Sequence, residues 1–237
     1  MDAALAAAFD ATWPAAEYAR IGGFRLGRAL GGGRRVGSAV ASGPWDGDQV
    51  QAVMAQAQAW DQPALFRVDD EDEPLRDALL DRGLVQIEPS LILTVPVAAL
   101  TDLPVPPITA FPVWPMLAIQ RDLFAESGIG PGRLAVMDRT PAPKAALLGR
   151  TDDRAAGVGF AAIHGDTAML HALNVLPAWR EKGLAAWMVR EAAFWAADQG
   201  AASLAVAVTR NNATARRLYH RLGFQPVAGY VYLGKPA

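Results

Sequence analysis

The sequence predicts a layered α/β fold, built in two successive halves in which strands and helices alternate. Hydrophobic residues make up 52% of the 237 positions, which is enough for a substantial buried core. Short apolar runs typical of strands alternate with longer segments of helical periodicity. Six prolines fall between 96 and 115, so this segment is expected to be an extended linker, with the boundary between the halves near residue 104.

The first half predicts a hairpin, a helix, a strand, a second helix and a last strand. The hairpin is expected to turn at "GGGRR", which is most simply a tight turn followed by two arginines. The second helix is expected to end at a glycine. The predicted elements cover 24–41, 46–60, 64–68, 74–84 and 85–95.

The second half predicts the same alternation over more residues. Its long helix is expected to end at Gly200, and the next strand, "SLAVAV", is a continuous apolar run typical of a strand covered on both faces. The predicted helices cover 114–126, 183–199 and 212–222, and the predicted strands cover 145–150, 157–163, 168–175, 203–208 and 224–233.

A short similarity between the halves indicates an internal duplication. Aligning "LRDALLDRGLVQ" with "ATARRLYHRLGFQ" places Gly83 on Gly223 and Leu79 on Tyr219. The alternative is chance, because many helix–glycine–strand units resemble one another. If the halves are copies, the first is expected to be vestigial, because acids in "VASGPWDGDQ", before its first helix, stand where the second half has basic residues. It is then expected to pack beside the second half and wall part of its site.

Composition excludes several classes of site. The chain has no cysteine, which excludes disulfides, thiolate metal ligands and a cysteine nucleophile, and its three histidines lack metal-ligand spacing, so no metal is expected. No apolar run reaches the ~18 residues of a membrane span, and no basic segment precedes the apolar start. A cytoplasmic protein without a membrane partner is therefore expected.

Charge is distributed unevenly between the halves. Residues 1–104 carry 8 arginines and 15 acidic residues, a net charge of −7, whereas residues 105–237 carry a net charge of +5. This asymmetry predicts that the second half meets an anion. The basic residues are too few and too weakly clustered for a nucleic-acid-binding face.

The start of the long helix is where that anion is expected. Arg180, Lys182 and Gly183 lie in "REKGLA", although helix starts normally favour acidic residues. The free N–H groups of a helix N-terminus bind phosphate, and a glycine lets the anion approach the backbone. The alternative is an ordinary helix start with surface charges.

Two patterns in this half resemble the signatures of the GNAT superfamily of N-acetyltransferases. The first is similar to V-x-P…(R/Q)-x-x-G-x-(G/A), and the second to N-x-x-A-x-x-L-Y-x-x-x-G-F. The resemblance extends from about residue 108 to residue 237. The matching residues are Val175, Pro177, Arg180, Gly183 and Ala185 in the first pattern and Asn212, Ala215, Leu218, Tyr219, Gly223 and Phe224 in the second.

The resemblance implies two GNAT-like domains, each with a mixed sheet flanked by helices. Residues 1–104 would be a degenerate copy, and residues 105–237 would bind acetyl-CoA as the acyl donor. By the same resemblance, the strand edge at Leu173–Val175 would pair with the pantetheine arm, and the loop backbone would hold the diphosphate. The implied cofactor-binding residues are Leu173, Val175, Arg180, Lys182, Gly183, Leu184, Ala185, Asn212 and Ala215.

The resemblance also implies direct attack of an amine on the thioester in a ternary complex, without a protein nucleophile. Tyr219 is the candidate acid for the departing thiolate; the alternative is a tyrosine that only packs in the core. The strand before the loop carries no acid, and His171 is its candidate base, because an ordinary histidine pKa suits proton transfer at neutral pH. The alternatives are a structural histidine and a proton path through water.

The function expected from these patterns is N-acetyl transfer from acetyl-CoA to a primary amine on a small molecule or peptide. One alternative is a non-catalytic acyl-CoA-binding sensor or structural protein. Another is a tandem acyltransferase acting on one thiol-precursor metabolite, as the two-domain mycothiol synthases do. A homodimer is compatible with the sequence.

Overall fold

The computed structural model describes residues 1–236, which form one mixed sheet with helices packed on its faces. The strand order is β1-β2-β3-β4-β11-β5-β10-β9-β8-β7-β6. The strands are β1 Tyr18–Ile21, β2 Phe24–Gly27, β3 Ser38–Ala41, β4 Leu65–Asp69, β5 Val85–Pro96, β6 Ala110–Val113, β7 Lys144–Thr151, β8 Arg154–His164, β9 Thr167–Val175, β10 Ser203–Thr209 and β11 Gln225–Gly234. The helices are α1 Ala3–Ala11, α2 Gly47–Ala59, α3 Glu73–Leu80, α4 Ala118–Glu126, α5 Pro131–Arg139, α6 Leu184–Asp198 and α7 Ala213–Arg221.

The two halves repeat one order of elements: three antiparallel strands, a helix, a parallel strand, a helix and a last strand. In the first half this order is β1-β2-β3-α2-β4-α3-β5, and in the second it is β7-β8-β9-α6-β10-α7-β11. The parallel strands are β4, which pairs with β3, and β10, which pairs with β9. The predicted alternation of strands and helices in a mixed sheet is confirmed.

The last strands of the two halves are exchanged. Strand β4 pairs with β11 of the second half, with Asp69 opposite Tyr230, whereas β5 of the first half pairs with β10, with Pro96 opposite Ser203. The exchanged strands β5 and β11 also pair with each other in the middle of the sheet. Both halves therefore contribute strands to the other, and the division at residue 104 stays a prediction.

Four elements lie where the sequence predicted none, and the first strand, β1, is one of them. Helix α1 is capped by Asp2, whose carboxylate accepts a hydrogen bond from Leu5 N at 2.9 Å, and it packs Phe9 against the sheet. Helix α5 begins with Pro131, which occupies its first position. The predicted linker contains β6, an edge strand that pairs only with β7 and therefore accommodates Pro112.

The other boundaries lie close to their predicted positions. The helix predicted at 114–126 begins at Ala118, because Pro115 precedes it and cannot occupy a helix interior. The predicted hairpin is formed by β2 and β3, but a loop from Arg28 to Gly37 joins them in place of a tight turn. Among residues 1–236, the helices are too short or too polar to cross a membrane.

Candidate active site

Strands β9 and β10 separate halfway along their length. Their parallel ladder runs from Thr167 opposite Ser203 to Leu170 opposite Val206 and stops there, although β9 continues to Val175. On the other side of β9, two residues lie opposite Gly159 of β8, and one of them, Ala172, has a φ of +52°. A bulge of this kind bends its strand. The bend moves the end of β9 away from β10 and opens the sheet.

The opening leads into a cleft of about 970 Å³. Both separated strands line it, together with the start of α7, the loop between β2 and β3, and side chains of β5 and β11. Among the lining residues are Leu173, Asn212, Ala215 and Tyr219 from the second half, and Arg34, Arg35 and Glu88 from the first. The first half therefore walls part of the cleft, while Arg180, Lys182 and Gly183 lie outside it at the neighbouring helix start.

Helix α6 begins without a side-chain cap. Gly183 is its N-cap residue with a φ of +83°, no side chain accepts a hydrogen bond there, and the first turn contains no acid. A Cβ added at Gly183 would meet no atom of residues 1–236 within 4 Å. The N–H groups of Gly183, Leu184 and Ala185 donate to no acceptor among residues 1–236, so an anion would be favoured at this helix start.

The equivalent helix of the first half is closed by its own residues. Asp46 caps α2 by accepting a hydrogen bond from Gln49 N at 2.9 Å, and Asp48 lies in the first turn. The Asp46 carboxylate occupies the position that an external anion would take, and Asp48 adds a second negative charge near it. Only the second half keeps its helix start available.

The two basic side chains before α6 are held by neighbouring groups. Arg180 Nε donates to the carbonyl of Val175 at 2.8 Å. Lys182 Nζ lies 2.8 Å from Asp152 in the turn between β7 and β8, and 4.8 Å from the centre of the Trp179 ring. The side chains thus tie the loop to β9 and to the β7–β8 turn, and the backbone offers the free donors.

Asn212 and Tyr219 lie on α7 at the cleft. Asn212 caps the helix, and its Oδ1 accepts a hydrogen bond from Ala215 N at 3.0 Å. Tyr219 is 7% exposed and packs against Phe224 with 5.2 Å between ring centres. Burial raises the pKa of the Tyr219 phenol to about 12. The phenol therefore keeps its proton at neutral pH, as an acid must.

His171 is buried between the two halves. Its Nδ1 lies 3.1 Å from Arg35 Nη1, and its Nε2 lies 3.0 Å from Thr12 Oγ1. A guanidinium only donates, so Nδ1 is the acceptor and Nε2 carries the proton. Burial, and secondarily the charge of Arg35, hold the pKa of His171 well below its usual 6.5. The imidazole is therefore neutral, and both of its nitrogens are engaged.

Sequence reasoning missed the contribution of Arg35 and its loop. The "GGGRR" segment, interpreted as a simple turn, lines the cleft, and Arg34 Nη1 forms an ion pair with Glu88 at 2.8 Å. The loop reaches the second half through long-range packing: Gly31 approaches Gly132 at the start of α5. No local sequence pattern reports such a contact.

Comparison with known proteins relates the chain to one family. Residues 114–224 match the acetyltransferase (GNAT) family model. No curated protein matches. Among solved structures, a GCN5-related N-acetyltransferase from Kribbella flavida has a TM-score of 0.68 at 22% identity, with 94% of this chain and 90% of that one covered.

Two further solved structures share the fold across both halves. A tandem GNAT protein from the clavulanic acid biosynthesis pathway has a TM-score of 0.63 at 13% identity, with 93% of this chain and 84% of that one covered. A GNAT-family acetyltransferase from Novosphingobium aromaticivorans has a TM-score of 0.57 at 18% identity, with 93% and 92% covered. The arrangement of the sheet and helices is therefore shared by solved GNAT structures.

Proposed function

We propose that the chain transfers an acetyl group from acetyl-CoA to a primary amine, since residues 114–224 match the acetyltransferase (GNAT) family model. This proposal rests on a combination of three features in the second half. Strands β9 and β10 separate beside an uncapped helix start, and Tyr219 lies in the cleft between them. The first half lacks this combination of features, because Asp46 caps its helix start and Leu79 stands in place of Tyr219.

The backbone at the start of α6 is proposed to bind the diphosphate of the donor. Its free donors are the N–H groups of Lys182, Gly183, Leu184 and Ala185, whereas the Arg180 N–H already donates to the carbonyl of Pro177 at 3.3 Å. The positive end of the helix dipole favours the same charge. The edge of β9 from Leu173 to Val175, which β10 leaves unpaired, is proposed to hydrogen-bond the pantetheine arm. Asn212 and Ala215 would contact the donor from α7.

Acetyl transfer from a thioester to an amine requires two proton transfers. A lysine-like amine is mostly protonated at pH 7, and making it neutral costs about 4.6 kcal/mol. As the new C–N bond forms and the C–S bond breaks, the amine loses a proton and the thiolate gains one. Tyr219 is proposed to donate that second proton, since burial keeps its hydroxyl protonated.

His171 is the proposed base for the amine. It is the imidazole that lines the cleft, and it lies directly before the bulge that bends β9. Its Nδ1 accepts a hydrogen bond from Arg35, so proton uptake there requires Arg35 to release this nitrogen. A water chain from the amine would serve the same purpose without that movement.

A thermal melt with acetyl-CoA tests the donor site. At a concentration of about 100 times Kd, binding to the folded state adds about 2.7 kcal/mol, which for this size raises Tm by roughly 5–10 °C. Release of the CoA thiol in the presence of an amine panel then tests transfer. A rise in Tm with no amine acetylated would indicate an acyl-CoA-binding protein without turnover. No rise would overturn the donor site.

A further inference from the structure

Arg35 brings a positive charge from the first half into the cleft. It lies in the loop between β2 and β3, lines the cleft, and is only partly exposed. Its guanidinium stacks on the Phe9 ring with 3.5 Å from Cζ to the ring centre. An aromatic ring of α1 therefore supports one face of the guanidinium.

The guanidinium has more donors than the protein uses. Nη1 donates to His171 Nδ1, and Nη2 donates to the carbonyl oxygen of Phe9. Nε is buried and has no hydrogen-bond partner among residues 1–236. Because a guanidinium carries five N–H donors, three lack a protein acceptor within that part of the chain. Because Nε is closed to solvent, the unused N–H groups of Nη1 and Nη2 are the donors that an acceptor bound in the cleft would satisfy.

The acidic side chains near Arg35 form ion pairs with other arginines. Asp10 forms ion pairs with Arg67 and Arg25, and Glu88 pairs with Arg34. Arg35 has no ion pair among the described residues, and burial lowers the pKa of its guanidinium to about 10. A charge held without a counterion in a cleft that opens to solvent is a binding point for an anion.

The chemistry of that anion follows from the shape and place of the group. A guanidinium matches a carboxylate with two parallel hydrogen bonds. Arg35 contacts His171, which lies two residues before Leu173 on β9, or about 7 Å along a strand. An anion bound at Arg35 would therefore lie close to the end of β9, where transfer is proposed.

We propose that Arg35 binds a carboxylate on the acceptor, so that the acceptor class is an amine that also carries a carboxylate. This inference rests on the proposed function, because it assigns the acceptor of the same cleft. It also gives the first half a defined role: the half that lost its donor site supplies the anchor for the acceptor.

Matched acceptor pairs test the proposal. Each pair is an amino acid and the amine that lacks its carboxylate: β-alanine with ethylamine, γ-aminobutyrate with propylamine, and phenylalanine with phenethylamine. In the wild-type protein, kcat/KM is expected to favour the carboxylate of at least one pair by about 10- to 100-fold, as expected for hydrogen bonds to a charged group. In Arg35→Gln this ratio is expected to fall to about one.

Two variants serve as controls for this change. Arg28→Gln removes the same charge from a half-buried arginine that pairs with Glu17 and does not line the cleft, so it should keep the wild-type ratio. Arg35→Lys keeps the charge and loses the planar fork, so an intermediate ratio is expected. If Arg35→Gln does not fold, the lysine variant and the wild-type ratio still decide the proposal.

A second measurement does not depend on turnover. The ¹H–¹⁵N NMR signal of the Arg35 Nε–H, identified by its absence in Arg35→Lys, is expected to shift when propionate is added. A wild-type ratio near one together with an unmoved signal would overturn the carboxylate site, while amine turnover would still uphold the proposed function. A moved signal without turnover of any amine would uphold the site and remove the proposed function. A ratio that persists in Arg35→Gln would overturn Arg35 as the anchor.

Discussion

Leu79 and Tyr219 occupy equivalent positions in the two halves, each four residues before the glycine that follows its helix. The carbonyl of Leu79 accepts a hydrogen bond from Leu84 N at 3.2 Å, and that of Tyr219 accepts one from Phe224 N at 3.0 Å. Both side chains are buried. Of the two, only Tyr219 lines the cleft and carries a hydroxyl, so the difference between them lies in chemistry and not in the turn.

Tyr219→Phe is therefore expected to reduce kcat by about 100-fold or more, the range of general acid catalysis, with little effect on acetyl-CoA binding. The ring keeps its packing on Phe224, so Tm should stay close to the wild-type value. Tyr18→Phe, which changes an exposed tyrosine outside the main cleft, is the control. Unchanged kcat across the pH range in Tyr219→Phe would remove this residue as the acid.

Substitutions at Gly183 test the anion site at the start of α6. Gly183→Glu is expected to abolish the acetyl-CoA melt shift, because a carboxylate there repels a diphosphate and fills its approach. Gly165→Glu is the matched control: it is a turn glycine with a φ of +61° and the same open surroundings, so it adds equal charge and backbone strain of about 1–2 kcal/mol. Gly183→Glu that bound acetyl-CoA like Gly165→Glu would contradict the assignment.

His171 makes stability depend on pH below neutrality. Because its folded-state pKa is held well below 6.5, the unfolded chain takes up a proton there first, and the folded state loses stability as pH falls below 6.5. Above that value the contribution is fully present. Melts between pH 5 and 8 should show a flatter acid limb in His171→Gln than in the wild type, whereas His164→Gln, an exposed histidine on β8, should follow the wild type.

Asp10 neutralises buried charge behind the cleft. Its carboxylate lies 2.9 Å from Arg67, whose side chain is 4% exposed, and it also pairs with Arg25. Asp10→Asn leaves Arg67 without a counterion and is expected to lower the free energy of unfolding by about 3–5 kcal/mol. Glu17→Gln, which breaks the exposed pair with Arg28, should cost about 1 kcal/mol or less. Equal losses in urea unfolding would mean that Asp10 is solvated.

Local patterns predicted the elements that local physics controls. The strand at Ser203 is apolar throughout because both of its faces are covered, and α7 begins at an Asn212 cap that a pattern can show. Helix α1 was not predicted because the apolar start of the chain was considered only with respect to a signal peptide, although Asp2 caps the helix. Helix α5 was missed because its apolar stripe is short.

Long-range relations could not be predicted in this way. The carbonyls and N–H groups of β5 find their partners on β10 and β11, and nothing in "VQIEPSLILTV" distinguishes these strands from β4. In the same way, Arg35 and His171 are 136 positions apart, so their contact depends on the packing of α1 and the loop against β9. The motif residues of the donor site were recognisable because they lie close together in the chain.

The exchange of β5 and β11 has a consequence for the order in which the protein can mature on the ribosome. Strand β4 has its outer edge bare until β11 is made, and β11 is the last strand of the described chain. Domains usually fold as units while synthesis proceeds, but here β4 of the amino-terminal half takes its neighbour β11 from the carboxyl-terminal half. The edge of β4 that pairs with β11 in the folded protein is therefore exposed until β11 has been synthesised. During that time it can pair with another nascent chain.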